Sequence, residues 1–257
     1  MAMTRVILNV ADVPRAVEFY REMLSAVVDG SVTSESAVLD VVTAEILLRR
    51  ADAQPSTWEE DDLALGFRHV GFKVSDLDRV VARLREAGVR FRAEPMDTGV
   101  GVRTAFFFDP DGTVLEVIEG FVDYTREADP SEVAAERSLG APGRPRFDHV
   151  ASTVVDRDQT IGAYRELGFA AIGSLIPPEE PRGFRIDYLR SGPTILEVFS
   201  FESATHRPHV GIDTFGFQAV VIEADKPVAG SRPLGRLDDV DVLVDPDNLP
   251  YAIAPPA

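Results

Sequence analysis

Two pairs of residues stand out for the chemistry they can do, His69 with Glu116 and His149 with Glu197. In each pair the histidine opens an apolar segment, HVGFKV or HVASTV, and the glutamate sits between leucine and valine in TVLEVIE or TILEVFSF. The intervals nearly agree, 47 positions in the first pair and 48 in the second. Two imidazoles and two carboxylates suit a borderline divalent ion such as zinc, nickel, cobalt, manganese or iron(II), with water or substrate oxygens at any open position. One such pair alone reads more simply as a half-buried strand histidine and a solvated glutamate. Two of the chain's four histidines at matching positions, each with its glutamate, turn the reading toward a metal site.

Strand parity supports that reading. Alternate side chains of a strand face opposite ways, so Val70, Phe72 and Val74 form one apolar face and leave His69 on the other with Gly71. Leu115 and Val117 put Glu116 on the opposite face of its strand, and Leu196 and Val198 do the same for Glu197. A glutamate facing a cavity between apolar neighbours is costly to bury alone, and a cation offsets that cost.

The elements that must position these residues form a repeat. Four segments begin at Arg5, His69, His149 and Gln218; each opens with a short apolar strand, and each has an aspartate seven residues on, Asp12, Asp76, Asp156 and Asp225. In the first three the aspartate leads into a helical pattern, DVPRAVEFYREML, DLDRVVARLREAG and DRDQTIGAYRELGF, with that aspartate or its predecessor available as the cap. Gly88 and Gly168 supply stops. Strand-like runs follow: AVLDVV and EILLRR, TAFFFD and TVLEVIE, FRIDYLR and TILEVFSF. In the fourth segment, two prolines and two glycines in KPVAGSRPLG leave no room for a helix.

The predicted fold class is α+β, four β-α-β-β-β modules at 4–50, 67–121, 146–203 and 215–256, the last with its helix reduced. The longest connector, 122–145, contains one candidate short helix at SEVAAERSL. It is the expected linker between an N-terminal half, 1–121, and a C-terminal half, 146–257.

Composition narrows the partners. The chain has 257 residues, 45% hydrophobic and 27% charged, the balance of a globular protein. A formal net charge of −17 argues against nucleic acid, whose binding runs on clustered Lys and Arg. No apolar run approaches a membrane span and the first residues do not read as a signal peptide, so a cytoplasmic location without membrane association is expected. With no cysteine there is no thiolate ligand and no cysteine nucleophile. No nucleophile elbow, P-loop or dinucleotide fingerprint is present.

The module itself, with FY-x-x-x-L near the helix end, Asp109-Pro110-Asp111-Gly112 before the last hairpin strand and a closing LEV, resembles the glyoxalase, bleomycin-resistance and extradiol-dioxygenase group, the vicinal oxygen chelate superfamily. The resemblance is clearest over 67–120 and 147–201, weaker in the first copy and marginal in the last. It implies that modules pair and that their sheets curl into two open barrels, each round a shared cavity with helices outside. It also implies that ligands come from the opening residue of the first strand and the residue before the closing valine or leucine of the last. Those positions hold Arg5 and Leu47, His69 and Glu116, His149 and Glu197, and Gln218 and Ala252.

If copies two and three share a barrel and copies one and four form the other, all four ligands meet at one ion. If copy one pairs with two and copy three with four, His149, Glu197 and Gln218 form a three-ligand site. The first arrangement is preferred because it explains why ligands persist together in the middle copies.

The implied function is a metal-dependent glyoxalase-like lyase or isomerase acting on a small substrate with vicinal oxygens through an enediolate-like intermediate, with Glu116 or Glu197 moving the proton. One alternative is an iron(II) extradiol-type ring-cleaving dioxygenase. Another is a non-catalytic small-molecule or antibiotic-binding protein. Four modules in one chain can complete both barrels, so a monomer or a homodimer is expected. His206 and His209 read as loop residues, Glu45 as a solvated edge residue unless the alignment of copy one is shifted, and Trp58 as a loop anchor. Phe106–Phe108, Phe199 and Phe201 read as core, with any on the cavity face walling a substrate pocket.

Overall fold

Helix initiation follows from the repeated aspartates. Asp12, Asp76 and Asp156 have extended backbones, and their side chains accept from the backbone N–H of Arg15, Arg79 and Gln159, each three residues on. Each cap contributes about 1 kcal/mol by satisfying a donor that the helix cannot. In the computed structural model, which describes residues 3–56, 58, 60–177, 181–238 and 240–255, copy one contributes β1 (Met3–Val10), α1 (Val13–Leu24), β2 (Val27–Asp29), β3 (Ser36–Asp40) and β4 (Glu45–Arg50). Copy two contributes β5 (Gly66–Val74), α2 (Leu77–Glu86), β6 (Phe91–Asp97), β7 (Val102–Phe108) and β8 (Val114–Gly120). The connector forms β9 (Arg126–Glu127) and α3 (Pro130–Ser138). Copy three follows with β10 (Arg146–Thr153), α4 (Arg157–Arg165), β11 (Ala170–Leu175), β12 (Arg185–Ser191) and β13 (Thr194–Ser200). Copy four has β14 (Gly216–Glu223), β15 (Arg232–Leu237), β16 (Val240–Val244) and β17 (Pro250–Ala254), with a turn where the other copies have a helix.

The strands form two open sheets, in the orders β15-β16-β17-β14-β1-β4-β3-β2 and β6-β7-β8-β5-β10-β13-β12-β11-β9. Copy one therefore pairs with copy four through β1 and β14, and copy two with copy three through β5 and β10, both antiparallel. Each sheet takes one copy from each half of the chain. The connector adds to the second sheet, where β9 pairs with β11.

One apolar cluster joins the helix-bearing faces of both sheets. Val70, Phe72, Leu115 and Val117 pack there with Leu77, Val80 and Leu84 of α2, and Val6, Leu8, Ile46 and Leu48 pack with Val13, Val17 and Tyr20 of α1. Phe67 of β5 and Phe217 of β14 stack with ring centroids 4.0 Å apart and add a contact between the sheets. No described helix is long and apolar enough to cross a membrane.

On their other faces the two sheets differ. In the sheet of copies one and four, Ile7, Leu47, Ala219, Leu237 and Val242 close together with Ile212 and Leu234 into a separate apolar cluster. In the sheet of copies two and three the corresponding face carries the histidines and glutamates, beneath a cavity of about 430 Å³.

Candidate metal centre

Strand register builds the centre from four adjacent strands. In the β5–β10 pair His149 lies opposite Gly71, and Ala151 opposite His69. Gly71 in turn pairs with Glu116 of β8, and Ala151 with Glu197 of β13. The two modules thus present their pairs by the same rule, each glutamate beside the residue two positions after its own module's histidine. That relation brings all four side chains to one point. The Nε2 atoms of His69 and His149 are 3.1 Å apart, and Glu116 Oε2 lies 3.0 Å from the first and 2.9 Å from the second. Glu197 Oε2 lies 3.9 and 3.8 Å from them. All four residues are buried.

Donor atoms held about 2.1 Å from one ion lie about 3.0–3.4 Å from one another for octahedral to tetrahedral angles, so three of the four already stand at ligand spacing and Glu197 stands slightly wide. Both histidines turn Nε2 inward. The donor set and its geometry fit a divalent metal ion, and His69, His149 and Glu197 offer donor atoms within 4.8 Å of one another.

Position 71 has to be glycine for this packing, because a Cβ there would overlap the His149 ring. Behind that ring, Nδ1 is 3.1 Å from Asp148 Oδ2, an arrangement that favours the tautomer with its proton on Nδ1 and a lone pair on Nε2. Asp148 is buried and lies 3.8 Å from the buried Lys73 ammonium, which donates to the Gly120 carbonyl at 3.0 Å. The positive charge of Lys73 and the hydrogen bond with His149 outweigh burial and hold the Asp148 carboxyl below its ordinary range.

The two glutamates are not equivalent. Glu116 accepts a short hydrogen bond from the Thr104 hydroxyl besides its contacts with both imidazoles, and those imidazoles outweigh burial and hold its carboxyl far below the ordinary range. Glu197 faces the phenol of Tyr188 across the β12–β13 register and accepts no hydrogen bond from a side chain among the described residues. Burial, with the negative Glu116 and Asp148 nearby, pushes Glu197 up to about 7. Burial takes His69 down to about 4. His149 is driven well up, since Glu197, Asp148 and Glu116 outweigh burial.

The other sequence candidates lie elsewhere or have different neighbours. Arg5 and Leu47 occupy the expected positions of copy one, and Arg5 pairs with Glu45 at 2.9 Å, which gives Glu45 a structural partner. Ala252 also stands in register. Gln218 does not, because it is the extra residue of a bulge: Ile7 pairs with Ala219 and Leu8 with Phe217, so Ala219 takes the inward position. Gln218 instead donates to backbone carbonyls of Thr214, Gly216 and Phe217. His206 bridges to Ala64 through its backbone, and His209 lines a separate crevice between the sheets. Trp58 packs edge-on against Phe108. Phe106 and Phe199 do wall the cavity above the centre, whereas Phe107 joins the helix-side core.

Sequence reasoning had singled out neither Thr104, Asp148, Lys73 nor Tyr188. The polar Thr104 interrupting the apolar β7 was a usable signal. Asp148 was hidden, because a bulge at that residue brings adjacent side chains to the same place against simple alternation.

Comparison with known proteins agrees with the architecture. Two family models described as the glyoxalase/bleomycin resistance protein/dioxygenase superfamily match residues 2–117 and 68–188. The chain is 23% identical over 211 residues to a lactoylglutathione lyase of Schizosaccharomyces pombe, a stretch covering 71% of this chain and 64% of that protein. It is 43% identical over 56 residues to the uncharacterized protein YwkD of Bacillus subtilis, covering 22% and 44%. The chain thus spans less than two thirds of the length of these relatives. Glyoxalase I from Zea mays superposes with a TM-score of 0.67 at 17% identity, covering 99% of this chain and 92% of that one, a likeness of fold. With the repeated module, the paired sheets and two family models spanning copies one to three, the chain belongs to the glyoxalase/bleomycin resistance protein/dioxygenase superfamily.

Proposed function

We propose that this protein is a metal-dependent, glyoxalase-like lyase or isomerase, with His69, Glu116, His149 and Glu197 as metal ligands and a small molecule with adjacent oxygens as substrate. The carrying observation is the meeting of two imidazole nitrogens and two carboxylates at the base of a cavity. A divalent ion bound there would act as a Lewis acid toward adjacent substrate oxygens and stabilise the charge that develops when a neighbouring C–H proton is removed.

The glutamates divide the work. Glu116, tied to Thr104 and both imidazoles, is the fixed ligand. Glu197, lacking such ties and opening onto the cavity, takes the proton from the carbon beside the substrate carbonyl and returns it to the adjacent carbon. A base of this kind works best with a pKa near the working pH. The buried imidazoles keep Glu116 from that task, and the apolar walls keep bulk water from competing for the proton.

Protein purified without chelator should carry about one divalent ion per chain by elemental analysis. In deuterated water the metal-loaded protein should exchange the carbon-bound proton of an α-hydroxyketone, followed by NMR. Glu197→Gln should keep the ion and lose the exchange, and Glu116→Gln should lose the ion. Exchange surviving in Glu197→Gln would remove that glutamate from the proton-transfer role. Oxygen consumption with a catechol after anaerobic iron loading would replace the isomerase reading with the dioxygenase one. A metal-free protein that binds a small aromatic molecule tightly would favour a non-catalytic binder.

A further inference from the structure

The cavity above the candidate centre has an unusual charge balance. Its walls are Phe106, Ile118, Leu175, Phe184, Ile186 and Phe199 with further aliphatic side chains. Its polar groups are His69, Glu116 and Glu197 at the base and the hydroxyl-bearing Thr98, Thr104, Thr125 and Tyr188. No lysine or arginine lines it among the described residues.

Several cations near this region have acidic partners, among them Arg92, which stacks over Phe106 at 5.9 Å and lies 3.7 Å from Asp62. Arg68 stacks over Phe199 at 4.5 Å but donates to Asp62 and Thr153. Lys73 serves Gly120 and Asp148, and Arg185 serves Asp187 and Ser174.

A carboxylate or phosphate on the body of a substrate, away from the proposed ion, would give up its water among apolar walls with no lysine or arginine among the described lining residues to answer it. An apolar body gains from every wall it covers. A cavity of about 430 Å³ is within the range that encloses a drug-sized molecule.

We infer that this site takes an uncharged, largely apolar molecule with its two adjacent oxygens at one end, and turns away substrates whose bodies carry carboxylates. The adjacent oxygens rest on the function proposed above. The uncharged apolar body rests on the cavity walls alone.

The test uses two probes with an adjacent hydroxyl and carbonyl but opposite bodies. Benzoin carries two phenyl rings and no charge, and S-lactoylglutathione carries a tripeptide with two carboxylates and an ammonium. Titration calorimetry on the full chain, loaded with zinc or nickel, should give a Kd for benzoin at least ten times lower than for S-lactoylglutathione. Equal or tighter binding of S-lactoylglutathione, or no measurable binding of benzoin, would overturn the inference. The same titration on metal-free protein separates the two readings: benzoin binding unchanged by metal removal leaves the cavity inference standing and counts against chelation.

Ile176, 40% exposed at the rim, allows a cation to be added without disturbing the core. Ile176→Lys should narrow the ratio at least threefold in favour of S-lactoylglutathione. An unchanged ratio would place binding outside this cavity and count against the inference.

Discussion

The Tyr20 hydroxyl, carried by the helix of copy one, donates to Asp109 Oδ2 in the Asp-Pro-Asp-Gly turn of copy two at 2.8 Å. Tyr164 of copy three makes the same bond to Asp245 of copy four at 2.9 Å. Both bonds are buried, and both cross from one sheet's module to the other's. Copies one and two, and copies three and four, are therefore joined by tyrosine and aspartate, whereas copy one with copy four and copy two with copy three share the strand ladders. Tyr20→Phe leaves a buried carboxylate oxygen without its donor and should cost about 1–3 kcal/mol in a urea titration. A loss below a few tenths of a kcal/mol would show that the bond is replaced by water.

The same aspartates predict a pH dependence. Burial raises Asp109 and Asp245 to about 6 each, against an ordinary 3.8. Between about pH 4 and 6 the folded chain holds protons on these groups that the unfolded chain has released, so their contribution to stability falls as pH rises through that window. Each represents about 3 kcal/mol at most across it. Asp109→Asn mimics the protonated acid. Its stability profile should be flatter than that of the unaltered protein between pH 4 and 6, and the two profiles should converge toward pH 4. Parallel profiles would mean that Asp109 ionises normally in the fold.

Gly71→Ala puts a methyl group where the His149 ring lies. The strand should survive, since β5 is paired on both sides by β8 and β10. Displacing one of the four proposed ligands should weaken metal binding about 100-fold or more, equivalent to about 3 kcal/mol. Competition with a chromophoric chelator measures this directly, and unchanged affinity would place the ion elsewhere.

Asp148→Ala removes the partner of His149 Nδ1. Loss of such a partner typically lowers metal affinity about 10- to 100-fold, and Asp148→Asn, which still offers an acceptor oxygen, should recover much of it. Cobalt substitution adds a spectroscopic check, because a reoriented imidazole alters the visible absorption of the bound ion. Equal affinity in all three proteins would reduce Asp148 to a structural role.

The convergence of these four side chains was legible from residue types because period-two alternation and a repeated interval are both strong signals. His69 and Glu116 lie opposite Val70, Leu115 and Val117 as parity requires, and the repeated Asp12, Asp76 and Asp156 do begin helices. Module pairing was not settled by local pattern, since it depends on which first strands meet, here β5 with β10. The strands β2, β6 and β11, required by the module, were not assigned to residues, and β9 in the connector was not anticipated. β2 and β6 are sheet edges, β6 carries Pro95 and is largely open to solvent, and an edge strand need not bury alternating apolar residues. Bulges defeated the finest alignment, shifting Gln218 out of register and turning Asp148 toward His149. One extra residue in a strand reverses parity without leaving any mark in composition.

The apolar face of the first sheet sets the arithmetic of binding. Ile7, Leu47, Ala219, Leu237 and Val242 form an apolar cluster where the second sheet carries its histidines and glutamates beneath the cavity. Each chain thus presents a single cavity of this type among the described residues. Saturation by a ligand of this cavity has a stoichiometry of one per chain and a hyperbolic form, with no homotropic cooperativity arising inside the chain. The first module pair remains as a permanent internal partner, holding the cavity-bearing pair as a second subunit would, without a dissociation equilibrium that dilution could disturb.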